Sequence, residues 1–332
     1  MITSELVLNF LILATAVFVL IRAGVFVVRS LIRMAHFLNV SEFALAFILM
    51  SFATTLPEFA IGLNSAFSGE PLISLGNIFG ANILNLSLVL GLVVLISKSS
   101  LVIDRSSPSH HHKTWITFFI GISPVILLLD LELSRLDGLI LIILFFLYLA
   151  RLFHLKEIFE HRKSFWISFI NHFERRADGL NLKYFFKNLL VFIASVGVVL
   201  VSAFFVVNSA ETISLKIGIS EMLIGIFIIA LGTTLPELSF GIRAALRKHE
   251  GLSLGNLFGA TAFNSTWILG LVALISPIKI VDSTSFWISA AAMVLVLFLA
   301  NLFLRTRDLI SRREGTVLIS VYVLFVIVQI IF

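Results

Sequence analysis

The sequence predicts an all-α membrane protein of ten transmembrane helices, arranged as two inverted five-helix repeats. Three observations predict it. Apolar runs of about 20 residues, the length a helix needs to cross a bilayer, recur from end to end. Lys and Arg are distributed very unevenly between alternate connections. A long segment of the first half recurs in the second at a constant offset.

The apolar runs place helices at about 6–29, 41–67, 72–97, 114–131, 136–155, 188–210, 219–246, 252–276, 284–304 and 316–332. Hydrophobic residues make up 59% of the chain and charged ones 13%. A soluble domain is nearer half and a quarter. The chain has no cysteine, which excludes disulfide and thiolate chemistry. Met1 to Glu5 carry no positive charge and the first apolar run is too long for a signal peptide, so it reads as the first span.

With both termini outside, 20 of the 24 Lys and Arg fall in the inner connections and three, Arg135, Lys216 and Lys279, in the outer ones. The remaining Arg22 lies in the first span. This bias puts both termini on the extracytoplasmic side of a cell membrane. It also accounts for the net charge of +5 without nucleic acid. The expected organisation is a first repeat over 1–155, a cytoplasmic connection over 156–187 and a second repeat over 188–332. Phe159, Phe165, Trp166, Phe169 and Phe173 alternate with basic residues in the connection, a pattern that suits an interfacial amphipathic helix.

Ser41–Ser97 aligns on Ser220–Ser276 at an offset of 179 without a gap. Between Thr54 and Ser97, 22 of 44 positions are identical to their mates, among them TTLPE (54–58 and 233–237), SLGN-x-FGA (74–81 and 253–260), Asn85 with Asn264, and LGLV (90–93 and 269–272). Shared Leu and Val could reflect composition, but shared Pro, Glu, Gly and Asn in register mark a duplication. Five spans per half is odd, so the second half enters the membrane inverted. Inverted repeats recur among secondary transporters, with the ion site at the midplane between them.

Glu58 and Glu237 are mates deep within spans. An ionisable group there needs a counter-charge, a proton or a cation. Pro57 and Pro236 remove the N–H groups that would bond the carbonyls of Ala53 and Gly232, and in a membrane a freed carbonyl must find another partner. Thr54 and Thr55 share a helix face with Glu58, as Thr233 and Thr234 do with Glu237. Asn85 and Asn264 lie in otherwise apolar spans. Together these residues read as an all-oxygen site suited to a hard cation such as Ca²⁺. Two ionised glutamates carry −2, which one Ca²⁺ or two Na⁺ would neutralise. Protons compete for the same carboxylates. Gly76, Gly80, Gly255 and Gly259 have the spacing of close helix contacts. Asn77 and Asn256 are read as satisfying backbone at the helix breaks or joining the site.

At these residues the chain resembles the sodium/calcium exchangers of the cation/calcium exchanger superfamily, in a prokaryotic-type core without a regulatory domain. TTLPE with GNIFGANILN looks like that family's first alpha repeat, and TTLPE with GNLFGATAFN like its second. The resemblance implies metal ligands at Thr54, Glu58, Asn85, Thr233, Glu237 and Asn264, with lesser contributions from Ser51, Thr55, Ala230 and Thr234, partly through backbone oxygens. It implies secondary active antiport of Ca²⁺ against Na⁺ by alternating access. The chain departs from well-studied members at Asn264, where they have Asp, and at Ala81 and Ala260, where they have Ser.

The expected partners are inorganic cations and the lipid bilayer, with no cofactor, no nucleic acid and no obligate protein partner. Proton/calcium or broader cation exchange is the alternative transport reading. An intramembrane enzyme using the two glutamates as an acid–base pair is the alternative from another class, and it leaves the freed carbonyls unexplained. His110, His111 and His112 invite a metal reading, but a solvated loop is the simpler expectation.

Overall fold

The computed structural model describes residues 4–37, 51–97, 101–102, 110–152, 179–246, 250–307 and 309–332. It is an all-α membrane protein. Among the described residues six helices are long and apolar enough to cross a bilayer, and the bent pair Glu221–Thr233 and Leu235–Leu246 adds a seventh span if it is counted as one.

Helix α1 (Ser4–Phe37) and helix α8 (Gly179–Ile217) run well beyond the expected 6–29 and 188–210. At 1.5 Å per residue they are about 50 and 60 Å long, against roughly 30 Å of bilayer hydrocarbon. Neither contains a proline, so nothing in the chain stops the helix at the membrane boundary. They pack against each other along their length, and a Lys216–Glu5 ion pair joins them. Residues 179–187, expected in the cytoplasmic connection, are therefore helical. The expected amphipathic helix falls on 156–178, outside the described residues. His110–His112, expected in a loop, form the first turn of α6 (His110–Leu127), which starts directly after the Ser-Pro-Ser stretch at 107–109. Serine favours helix starts, and the next proline is Pro124, well inside the helix.

The duplicated segments share an interrupted helical course. In the first, α2 (Ser51–Thr54) breaks at Thr55 (φ −86°, ψ 3°) before α3 (Leu56–Ser68). Helix α4 (Pro71–Leu84) then passes through a π-helical turn, Asn85–Val89, into α5 (Leu90–Ile96). In the second, α9 (Glu221–Ile224) leads through a π turn, Gly225–Ile229, into α10 (Ala230–Thr233). That helix breaks at Thr234 (φ −81°, ψ −4°) before α11 (Leu235–Leu246), with a bend of 41°. Helix α12 (Glu250–Ala262) and a π turn, Phe263–Ile268, precede α13 (Leu269–Ile275). Each break stands two residues before its proline, where the missing N–H and the ring oppose a continuous helix.

These segments form the centre of the molecule. The windows Pro71–Ile96 and Gly251–Ile275 are mostly buried, whereas α8 and α15 (Arg312–Ile331) leave most of their apolar surface outward. Close approach of α4 requires its glycines. A methyl group on Gly76 would lie 2.2 Å from the Met222 carbonyl oxygen, and one on Gly80 would lie 2.6 Å from that of Ile226. Helices α7 (Arg135–Leu152) and α14 (Ser283–Arg307) complete the bundle. Two antiparallel two-residue ribbons tie connections together: β1 (Leu101–Val102) pairs with β4 (Leu309–Ile310), and β2 (Glu132–Leu133) with β3 (Ile278–Lys279).

Candidate functional site

The helix breaks bring Glu58 and Glu237 to the third position of α3 and α11. Both side chains are fully buried, and none of their four carboxylate oxygens accepts a hydrogen bond. The two groups are close enough to sense each other's charge. Taking one ionised carboxylate out of water is unfavourable by several kcal/mol, and two side by side add their repulsion. The pair therefore requires positive charge or protons between its members.

The threonines pair crosswise between the halves. Thr54 Oγ1 donates to Asn256 Oδ1 at 3.2 Å, and its mate Thr233 Oγ1 donates to Asn77 Oδ1 at 3.0 Å. Ser51 adds a bond to the Asn256 carbonyl at 3.3 Å. Thr233 also lies against the Glu58 carboxyl group, and Thr54 against that of Glu237. A hydroxyl has one hydrogen. Each hydroxyl also comes within 3.3 Å of a carbonyl of its own helix, that of Ser51 for Thr54 and that of Ala230 for Thr233, so its one hydrogen has more than one acceptor within reach. Asn77 and Asn256 thus join the two halves at the site, and their Nδ2 groups have no partner.

Thr55 and Thr234 bond inward on their own helices. Thr55 Oγ1 donates to the Ser51 carbonyl at 2.7 Å and Thr234 Oγ1 to that of Ala230 at 2.9 Å, where the backbone N–H groups of the same threonines also converge. With the Thr54 and Thr233 hydroxyls, the Ser51 and Ala230 carbonyl oxygens each have three donors within hydrogen-bond distance.

Asn85 opens its π turn and Asn264 is the second residue of its own. A π turn inserts one residue into a helix and re-aims the side chains that follow, and such turns are frequent at functional sites. Both polar atoms of Asn85 and the Oδ1 of Asn264 are buried without a partner. Asn264 Nδ2 donates to Asn82 Oδ1 at 3.1 Å, and Asn82 Nδ2 donates to Ser265 Oγ at 2.9 Å. The sequence reading passed over Asn82 and Ser265, because their mates are Thr261 and Leu86 and the repeat does not mark them. The signal was available in another form: Asn82 lies three residues before Asn85 on one face of a buried helix.

All six principal residues are buried. Among the described residues no group of three or more His, Cys, Asp or Glu converges. A cation there would meet two carboxylates and otherwise neutral oxygens, which suits a hard ion.

The family model for the sodium/calcium exchanger protein matches residues 8–154 and 187–331. An uncharacterized membrane protein of Methanocaldococcus jannaschii is 30% identical over 292 residues, covering 88% of each chain. Sodium/calcium exchanger MaX1 of Methanosarcina acetivorans is 27% identical over 347 residues, covering 96% of this chain and 98% of its own. A solved structure of the sodium-calcium exchanger NCX_Mj, soaked with Na⁺ and Sr²⁺, superposes with a TM-score of 0.63 at 25% identity, over 97% of this chain and 98% of that one. With its duplicated Thr-Leu-Pro-Glu breaks, its paired buried glutamates and this match over most of its length, the chain belongs to the sodium/calcium exchanger protein family.

Proposed function

We propose that this protein is a secondary active antiporter that exchanges Ca²⁺ for Na⁺ by alternating access. The observation that carries the reading is the pair of fully buried, symmetry-related glutamates whose four oxygens receive no hydrogen bond. Thr54, Glu58, Asn85, Thr233, Glu237 and Asn264 bind the ion, and Ser51, Thr55, Ala230 and Thr234 shape the surrounding backbone. A site of charge −2 holds one Ca²⁺ or two Na⁺ but not both. A protein that reorients only when its site is neutralised then couples the two flows.

The same reading includes ten spans in two inverted repeats, 1–155 and 188–332, with both termini extracytoplasmic. The 179-residue offset and the crosswise Thr54–Asn256 and Thr233–Asn77 bonds support it.

Proton/calcium exchange is the second reading. Asn264, Ala81 and Ala260 favour it, since they withhold a carboxylate and two hydroxyls that would help to hold Na⁺.

The test is ⁴⁵Ca²⁺ uptake into proteoliposomes under an imposed Na⁺ or H⁺ gradient. Uptake driven by Na⁺ supports the first reading and uptake driven by H⁺ alone the second. No uptake under either gradient sinks calcium antiport.

A further inference from the structure

Two hydroxyls of the duplicated segment take no part in the site above. Ser74 and Ser253 are mates at the 179-residue offset. Both are fully buried, and neither Oγ has a hydrogen-bond partner. A buried hydroxyl without a partner is unfavourable, and here the same unfavourable group occurs at both equivalent positions.

Their surroundings repeat too. A methyl group placed on Gly62 would stand 3.2 Å from Ser74 Oγ, 2.8 Å from Ile268 Cγ2 and 3.3 Å from Val272 Cγ2. One placed on Gly241 would stand 3.0 Å from Ser253 Oγ, 2.9 Å from Val93 Cγ2 and 4.0 Å from Val89 Cγ1. Ile268 and Val272 are the mates of Val89 and Val93. Each hydroxyl therefore lies beside a glycine of its own half, and the same glycine packs against two β-branched side chains of the other. Gly62 stands four residues beyond Glu58, and Gly241 four beyond Glu237, so each glycine shares a helix face with its carboxylate, one turn away. In the inverted layout proposed above, equivalent positions of the two halves fall on opposite sides of the glutamate pair.

We propose that Ser74 and Ser253 are relay ligands for the transported cation, one on each access route, and that Ile268–Val272 and Val89–Val93 gate those routes. The proposal rests on the antiport reading. A lone hydroxyl beside a glycine is a weak, neutral oxygen site. It accepts a partly hydrated alkali or alkaline-earth cation and releases it, as a conduction path requires. The glycine leaves room for the ion when the gating pair moves aside.

The chain contains no cysteine, so Ser74→Cys and Ser253→Cys are single-cysteine proteins. In sealed vesicles of known orientation, a membrane-impermeant thiol reagent is expected to label each from one face only and the two from opposite faces. Ionic conditions that raise labelling at one position should lower it at the other several-fold. Labelling of both from the same face overturns the proposal. So does labelling of neither while the control Ser68→Cys, at the exposed end of α3, reacts.

Ser74→Ala and Ser253→Ala give a second readout. Each is expected to slow ⁴⁵Ca²⁺ uptake roughly tenfold, about one hydrogen bond's worth, with no loss of thermal stability because the hydroxyl has no partner to lose. Full uptake in both variants also overturns the proposal. Failure of the antiport reading itself is distinguishable, because the unmodified protein then takes up no Ca²⁺ under either gradient, whatever the labelling pattern.

Discussion

Glu58→Gln and Glu237→Gln each keep the side-chain volume and remove one negative charge. Loss of even an outer-shell partner lowers metal affinity by roughly 10–100-fold, so loss of a charged ligand is expected to reduce ⁴⁵Ca²⁺ uptake by at least that much. Stability should move the other way. Neither carboxylate has a hydrogen-bond partner, so removing its charge relieves burial and repulsion, and the melting temperature should stay level or rise. Lowered uptake with lowered Tm in both variants would instead indicate a structural role. Asn264→Asp adds a third carboxylate. Asn82 can accommodate it by turning its amide so that Nδ2 faces the new carboxylate and Oδ1 accepts from the Ser265 hydroxyl. Apparent Ca²⁺ affinity should rise on the order of tenfold, measured as the half-saturating concentration for uptake. Protons compete with cations for the same two carboxylates, and a protonated carboxyl offers no charge to the ion. Uptake should fall as pH is lowered, and saturating Ca²⁺ should restore it. An acid-induced loss that excess Ca²⁺ leaves unchanged would exclude competition at this site.

The helix breaks at Thr55 and Thr234 are elements in their own right. Pro57→Ala returns an N–H able to close on the Ala53 carbonyl, and Pro236→Ala does the same for Gly232. Each should stabilise its helix, by an amount bounded by the roughly 3 kcal/mol between Pro and Ala inside a helix. Each should also slow uptake, since a mended helix re-aims the glutamate that follows. A thermal melt and a flux assay on the same preparation check both signs. Helix α1 lies over both breaks. A methyl group on Gly24 would stand 3.2 Å from Pro57 Cγ and 3.3 Å from Pro236 Cγ. Gly24→Val therefore presses on both prolines at once. Overpacking of this kind typically destabilises by about 1–3 kcal/mol. The expected result is a lower Tm and little uptake, with Gly24→Ala intermediate in both.

At the scale of the whole molecule, the charge asymmetry predicts where the termini lie. Cysteines introduced at Ser4 and Phe332 should both react with an impermeant thiol reagent from the extracytoplasmic face. Reaction from opposite faces would require an odd number of spans and would remove the basis for inverted repeats.

The membrane class, the duplication and the glutamate pair were legible in the sequence because each rests on local chemistry. An apolar run must leave water, a carboxylate within it needs a partner, and a proline breaks a helix wherever it stands. The lengths of α1 and α8 were not legible. Hydropathy marks where a helix is buried in lipid, while these two continue past the bilayer by packing on one another. The helical state of His110–His112 was missed because polar residues beside a span do not distinguish a loop from a helix's first turn. Asn77 and Asn256 could be identified as polar residues near a break, but their partners could not, since Thr233 and Thr54 lie 156 and 202 residues away in the chain. The sequence by itself thus determined which groups must be neutralised. The tertiary structure decided which hydroxyls and amides surround them, because only packing of the two halves brings mates at a 179-residue offset into one buried volume.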